Sequence, residues 1–253
     1  VIPSYNVNDQ PISDAATLVR PANLRGLAPD HTLMLVNGKR RHRASVITWL
    51  GNGISNGSQG PDAAAIPGAA LKRIEVLRDG ASAQYGSDAI AGVMNFVLND
   101  SAEGGSLEVR YGEYKEGDGE QVTIAGNIGL PLGDNGFLNL TAEWGESDPT
   151  SRSEQRADAQ TLIDNGYQDV PAPAMIWGRP IVNDDMKLWA NFGMDLSDTL
   201  TLYGHANYNS KEVDGGFFFR NPTNRGAVYS GDGGETLLVG DLTPNDSQGC
   251  PVV

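Results

Sequence analysis

Between residues 106 and 208 apolar and polar residues alternate again and again, and a period of two excludes a helical reading of that half. Leu107, Val109 and Tyr111 alternate with Ser106, Glu108 and Arg110. Val122, Ile124, Ile128 and Leu130 alternate with Thr123, Ala125 and Asn127. Leu138, Leu140, Ala142 and Trp144 follow, then Leu188, Ala190, Phe192, Met194 and Leu196, then Leu200, Leu202, Ala206 and Tyr208. Each segment spans about ten residues, the length that a tilted strand needs to cross a bilayer. One face is apolar and the other polar, as expected for lipid outside and a lumen inside. The turns 131–136 and 197–198 are tight, whereas 145–185 and the chain from Ser210 read as long polar loops. Long loops thus fall on one side and tight turns on the other, the asymmetry of outer-membrane barrels. Five strands cannot close a barrel. The expectation is a fragment whose remaining strands lie beyond Val253.

The first hundred residues differ. They carry nine Lys and Arg against eight Asp and Glu, whereas the remainder carries nine against twenty-four. An acidic second half argues against a nucleic-acid partner. No apolar run approaches the roughly 18 residues of a membrane-spanning helix. The opening Val1-Ile2-Pro3 has no signal-peptide character, and Cys250 is alone, so it staples nothing within the chain.

The stretch 66–99 organises this first part. Ile74 and Val76 alternate with Arg73, Glu75 and Leu77, as in a strand with one packed face. Asp79-Gly80 breaks it. Ser82 is placed to cap one helical turn over Ala83, Gln84 and Tyr85, and Gly86 to end that turn in the left-handed conformation. Gly92 opens a second apolar strand through Leu98. Upstream, the apolar run 32–36 leads into Asn37-Gly38, a hairpin signal because both turn positions need positive φ. The basic run Lys39-Arg40-Arg41-His42-Arg43 reads as a solvated return strand or as a patch facing a ligand or an acidic wall.

Ile74-Glu75-Val76-Leu77-Arg78, Ser82, Tyr85-Gly86, Ala89, Gly92-Val93 and Asn95 closely resemble the plug signature of TonB-dependent outer-membrane receptors. The upstream Leu24-Arg25-Gly26-Leu27 and the 32–40 segment resemble a second motif of that family, in the right order. The resemblance implies an α+β plug, a small mixed sheet with short helices over residues 1–100, truncated at its start. About five antiparallel strands of an incomplete transmembrane β-barrel, with long extracellular loops, then occupy 101–253. It implies active import of a scarce solute, a siderophore, an oligosaccharide or similar, across the outer membrane of a Gram-negative bacterium. TonB would engage a box missing from this chain, and outer-membrane lipid would surround the barrel. Plug-motif positions are Gly26, Asn37, Gly38, Gly80, Tyr85, Gly86 and Gly92. Arg25 and Arg78 match family arginines that face acidic side chains of the barrel wall; pairing within the plug, with Glu75 for example, is the alternative.

The aperiodic segment 45–61 resembles plug loops that reach the extracellular apex. Trp49, Asn52, Asn56 and Gln59 are the candidate substrate-facing residues there, since amides and an indole suit a polar, hydroxyl-rich ligand. A plain loop is the other reading. His31, His42 and His205 are scattered, no metal-ligand spacing or nucleophile elbow occurs, and neither an enzyme nor a cofactor is implied. Acidic pairs such as Asp184-Asp185 and Glu143/Glu146 read as loop or lumen charges. A soluble, secreted β-rich glycan-binding or adhesion module is the alternative function, separable by the sequence that follows Val253.

Overall fold

The structure is a computed structural model that describes residues 5–7, 18–48, 55–168, 170–174 and 178–215. Trp49, Asn52 and Cys250 lie outside these residues. The chain divides into two compact units, Val1–Ser151 with Trp177–Gly216, and Arg152–Ile176 with Phe217–Val253.

The first unit begins with a short antiparallel pair, β1 (Tyr5–Val7) and β2 (Ala22–Leu24). A mixed sheet follows, built from β3 (Thr32–Val36), β4 (Lys39–Arg40), β5 (Leu71–Leu77) and β6 (Gly92–Leu98) in the order β4-β3-β6-β5. β3 and β6 run parallel, and the other pairs are antiparallel. Every residue of β3 is buried, which is why Thr-Leu-Met-Leu-Val shows no alternation: both faces of this central strand are covered. Met34, Val36, Met94, Phe96 and Leu98 pack on one face with Ala22, Ile66 and Ala70. Leu33, Leu35 and Val93 pack on the other with Ala81, Ala89 and Tyr85.

Three expectations need correction. β5 is an edge strand, and Ile74 and Leu77 remain 42% and 45% exposed; Leu71 and Val76 pack against the core. Ser82 is the first residue of α1 (Ser82–Tyr85), not its cap, and Ala81 precedes it with no side-chain cap. Gly86 has positive φ, +92°, but ψ is −177°, so the chain leaves extended rather than left-handed helical. That region is open to glycine alone, so the residue type is required even though the turn differs.

Five strands, β7 (Gly105–Gly112), β8 (Gln121–Pro131), β9 (Gly136–Ser147), β10 (Ile181–Ser197) and β11 (Leu200–Asp214), form an antiparallel meander in chain order. β10 and β11 are longer than expected. Val182–Asp185 pairs with Lys211–Asp214 although its alternation is lost among charged residues, so strand replaces both ends of what read as loop. Apolar side chains of Ile124, Ile128, Leu140, Leu188, Leu202 and Tyr208 project from one face and stay exposed. The other face turns Asn127, Asn139, Thr141, Glu143, Trp189 and Asn191 inward, all buried. In the second unit the connection after β9 carries α2 (Ala157–Asp164), with Ala159 and Leu162 as its buried positions.

Gly92 holds the mixed sheet together sterically. Its φ is +139°, and a Cβ there would sit 2.3 Å from the Leu77 carbonyl oxygen and 2.8 Å from Leu24 Cδ2. Gly92→Ala is expected to cost about 2 kcal/mol or more through strain and overpacking, read as a lower urea midpoint for loss of the β6 amides' exchange protection.

Candidate functional site

The sequence motifs converge on one hydrogen-bonded network that crosses the mixed sheet. Asn37 (φ +48°) and Gly38 (φ +75°) make the hairpin turn between β3 and β4, as the Asn-Gly pair predicts. The Asn37 N–H donates to Phe96 O at 3.0 Å, and its Oδ1 accepts from the Leu98 N–H at 2.9 Å. Gly38 N–H donates to Asn95 Oδ1 at 2.8 Å. Asn95 Nδ2 then donates to Glu75 Oε2 at 2.9 Å, and Arg73 Nε donates to Glu75 Oε1 at 2.8 Å. The network thus ties hairpin, central strand and edge strand together.

Arg25 and Arg78 also meet. Arg25, at φ +58°, shares a tight turn with Gly26 at φ +69°, and its guanidinium donates to the Arg78 carbonyl at 3.2 Å. Glu75 is engaged by Arg73 and Asn95. Gly80 breaks the strand beside the Ile90 carbonyl, and Tyr85 packs on the second core while its carbonyl accepts from Arg40 at 3.1 Å. Arg40 forms an ion pair with Asp88, which Arg43 approaches at 3.8 Å.

The described part of segment 45–61 is tightly tied. Thr48 Oγ1 donates to the Ser55 carbonyl and lies 3.0 Å from Ser58 Oγ, with all three residues buried. Gln59 spends its amide on the Ala44 carbonyl at 2.8 Å, and its own N–H on Asp30 at 2.9 Å. Gln59 thus closes the loop on two sides. Asn56 is exposed at the turn.

Residues 2–93 match the family model described as the TonB-dependent Receptor Plug Domain. The ferrienterobactin receptor of Escherichia coli K12 is 27% identical over 244 residues, covering 91% of this chain and 28% of that protein. The ferric enterobactin receptor of Pseudomonas aeruginosa is 30% identical over 140 residues, 53% of this chain and 18% of that protein. A crystal structure of a ferric enterobactin receptor mutant from P. aeruginosa shares the fold of plug and meander, with TM-score 0.60 at 21% identity, over 84% of this chain and 30% of that one. The chain thus resembles the TonB-dependent receptors in sequence and in fold. It spans less than a third of the length of the curated relatives it matches.

In receptor terms, the mixed sheet is the plug and the meander a section of the wall. The plug sits against the wall's polar face, and Trp189 of β10 is the central contact. It is 3% exposed and packs within the same apolar cluster as Met34, Met94 and Phe96. Its indole N–H donates to the Ala65 carbonyl at 3.0 Å. Arg41 lies 5.3 Å over the ring and donates to Asn207 Oδ1 at 2.8 Å. Burial lowers the Arg41 pKa, and the neighbouring Asp62 carboxylate opposes that shift. The basic run thus meets an aromatic and amide wall through Arg41, rather than an acidic one.

Higher on the same face, Lys187 pairs with Glu143 at 2.7 Å and lies 3.4 Å from Asp185, while Lys211 approaches Asp185 at 3.8 Å. These charges border a recess of about 430 Å³ whose lining includes Arg20, Arg110, Arg179, Lys187 and Lys211 against Glu143, Glu146 and Asp185. Glu143 faces inward here, as a lumen charge. Trp189 and Asn191 were legible only as polar-face positions of an alternating strand, with no local signal that the plug would seat on them.

Two outcomes are expected. Trp189→Ala empties a buried site and should cost about 3–5 kcal/mol of docking, whereas Trp189→Phe should cost about 1 kcal/mol for its lost hydrogen bond, both read by proteolytic release of the plug. Glu75 is held below the usual carboxylate range, first by Asn95 and then by Arg73. Its folded pKa lies below the unfolded one, so its contribution is complete above the unfolded value and is lost as pH falls through the folded value. The stability gap between wild type and Glu75→Gln should therefore shrink on acidification through that range.

Proposed function

We propose that this chain forms the plug, residues 1–100, and part of the wall, 101–253, of a TonB-dependent importer in the outer membrane of a Gram-negative bacterium. The observation that carries this reading is Trp189, which belongs to a strand with an exposed apolar outer face yet completes the core of the plug within. An apolar outer face suits lipid, and a polar inner face suits a gated lumen. The similarity in fold to receptor barrels favours this reading over a secreted glycan-binding module.

The outer face also carries a membrane-boundary feature. Trp144 presents its ring on the apolar side and donates its indole N–H to Asp184 Oδ1 at 2.9 Å. An apolar body with a wet polar tip suits the bilayer interface. Beyond that level β10 continues through Asn183 and Val182 to its start at Ile181.

For cargo we infer an anionic iron–siderophore chelate. Relatives named as receptors of ferric enterobactin support it, and so does the cationic excess around the recess on the wall's inner face. Energy would come through TonB, with the plug closing the lumen until it is rearranged. Arg25 and Arg78, held together at one edge of the plug, are the proposed docking arginines toward the rest of the barrel.

The test is uptake of radiolabelled ferric enterobactin by cells with and without the full-length receptor, each with and without TonB. Receptor- and TonB-dependent uptake is expected; equal uptake in all four would sink the reading. In planar bilayers, Arg78→Ala in the full receptor is expected to raise leak conductance, and an unchanged leak would remove Arg78 from the docking set.

A further inference from the structure

The basic run after the β3–β4 turn divides its side chains between two partners. Arg40 pairs with Asp88 and donates to the Tyr85 carbonyl at 3.1 Å, and Arg43 approaches Asp88 at 3.8 Å. Both stay with the plug. Lys39 and Arg41 flank Arg40 and turn the other way, as alternation along an extended chain requires. Lys39 Nζ lies 5.8 Å from the centroid of the Tyr203 ring. Arg41 lies over the Trp189 ring and donates to Asn207 Oδ1. Asn37, two residues before Lys39, donates to Asn191 Oδ1 at 3.0 Å, and Asn191 Nδ2 donates to the Asn99 carbonyl at 2.9 Å. The wall partners form a strip two strands wide: Trp189 lies opposite Asn207, Asn191 opposite His205 and Gly193 opposite Tyr203. The His205 ring stacks with Trp189, 6.4 Å between centroids and 12° from parallel. None of these residues is a carboxylate. Asp195, the next inward position of β10, is taken by Thr201 at 2.6 Å, and Asp62, the carboxylate near Arg41, belongs to the plug.

We propose that this strip is a cation-recognition site of the wall, that Lys39 and Arg41 are its built-in ligands, and that its lack of a carboxylate makes the seat releasable. The proposal rests on the reading above in treating the meander as the wall of the lumen and the mixed sheet as the plug. An aromatic face attracts a cation through the ring quadrupole, and an amide oxygen adds a directional acceptor. Together they fix where the hairpin sits without placing a formal charge on the wall. The difference matters when plug and wall part. Parting a buried ion pair leaves an uncompensated carboxylate behind, which is strongly unfavourable. Parting Lys39 and Arg41 from this strip leaves rings and amides, and the two cations regain water. A plug that closes a lumen and yet moves is thus held in register by a contact that opposes its departure only modestly.

The experiment is limited proteolysis of the full-length receptor in detergent micelles, following cleavage of the plug at one sub-denaturing urea concentration. Where reclosing is fast, the cleavage rate tracks the open population. Lys39→Met keeps the length of the side chain and removes its charge; it should speed cleavage about threefold, and Arg41→Met about tenfold, the span from exposed to desolvated cation–aromatic pairs. The Lys39→Met effect should vanish in a Tyr203→Leu background, and the Arg41→Met effect should shrink in an Asn207→Ala background, because contacting residues couple. Arg40→Met is the control: its partners lie in the plug, so its effect should be the same with and without Tyr203→Leu. Asn207→Asp supplies the missing carboxylate to Arg41 and should slow cleavage about threefold. Additive effects of Lys39→Met and Tyr203→Leu, an Arg40→Met effect that depends on Tyr203, or cleavage unchanged or faster in Asn207→Asp would overturn the proposal. Cleavage is read without cargo or TonB, so a failure of import would count against the functional reading alone.

Discussion

The contact on which the described structure depends is the burial of Trp189 in the plug. The plug sheet has too few large side chains to close its core on the wall side: Met34, Met94, Phe96 and Leu98 face the meander with small residues such as Ala22 and Ala70 around them. A single indole from β10 fills the remaining volume and satisfies its own N–H on the Ala65 carbonyl. Interiors pack to near-crystalline density, so a site filled this way tolerates little displacement. Plug and wall are therefore joined as one core is joined, and the polar contacts around Trp189 work within a position already set.

Those polar contacts divide by chemistry. Low on the wall they are amide to amide or amide to carbonyl, with the Arg41 guanidinium over the indole and the Lys39 ammonium by the Tyr203 ring as the cations the plug brings among the contacts described above. Higher up, Lys187, Glu143, Asp185 and Lys211 form an ionic ladder beside a recess of about 430 Å³. A buried ion pair costs desolvation that its attraction repays only in good geometry, whereas a buried amide costs less and a single directional hydrogen bond offsets it. The wall thus offers the plug neutral side chains low on its inner face and keeps its own charges around the recess.

The hairpin and the alternation were legible because each depends on a local rule. Asn37-Gly38 takes positive φ at both positions, and inward and outward positions of β8 to β11 follow from a period of two. The misreadings arose where a neighbour decided. β5 carries strand periodicity yet lies at an edge, which alternation does not encode. β10 and β11 extend past their apolar alternation because two charged stretches pair with each other across a bulge between Val182 and Asp184, which the local pattern of neither stretch encodes.

The sequence by itself determined the kind of chain this is: a glycine-punctuated mixed sheet followed by two-faced strands with tight turns on one side, since backbone conformation and side-chain alternation are properties of neighbouring residues. Only the tertiary structure decided how the two parts meet. That Trp189 would complete a core whose nearest member in sequence is Leu98, that Asn37 would serve both its own turn and Asn191, and that Arg41 would lie on an indole are matters of which surfaces become adjacent. The same residue types on a wall strand would read identically whether or not a plug were seated against them.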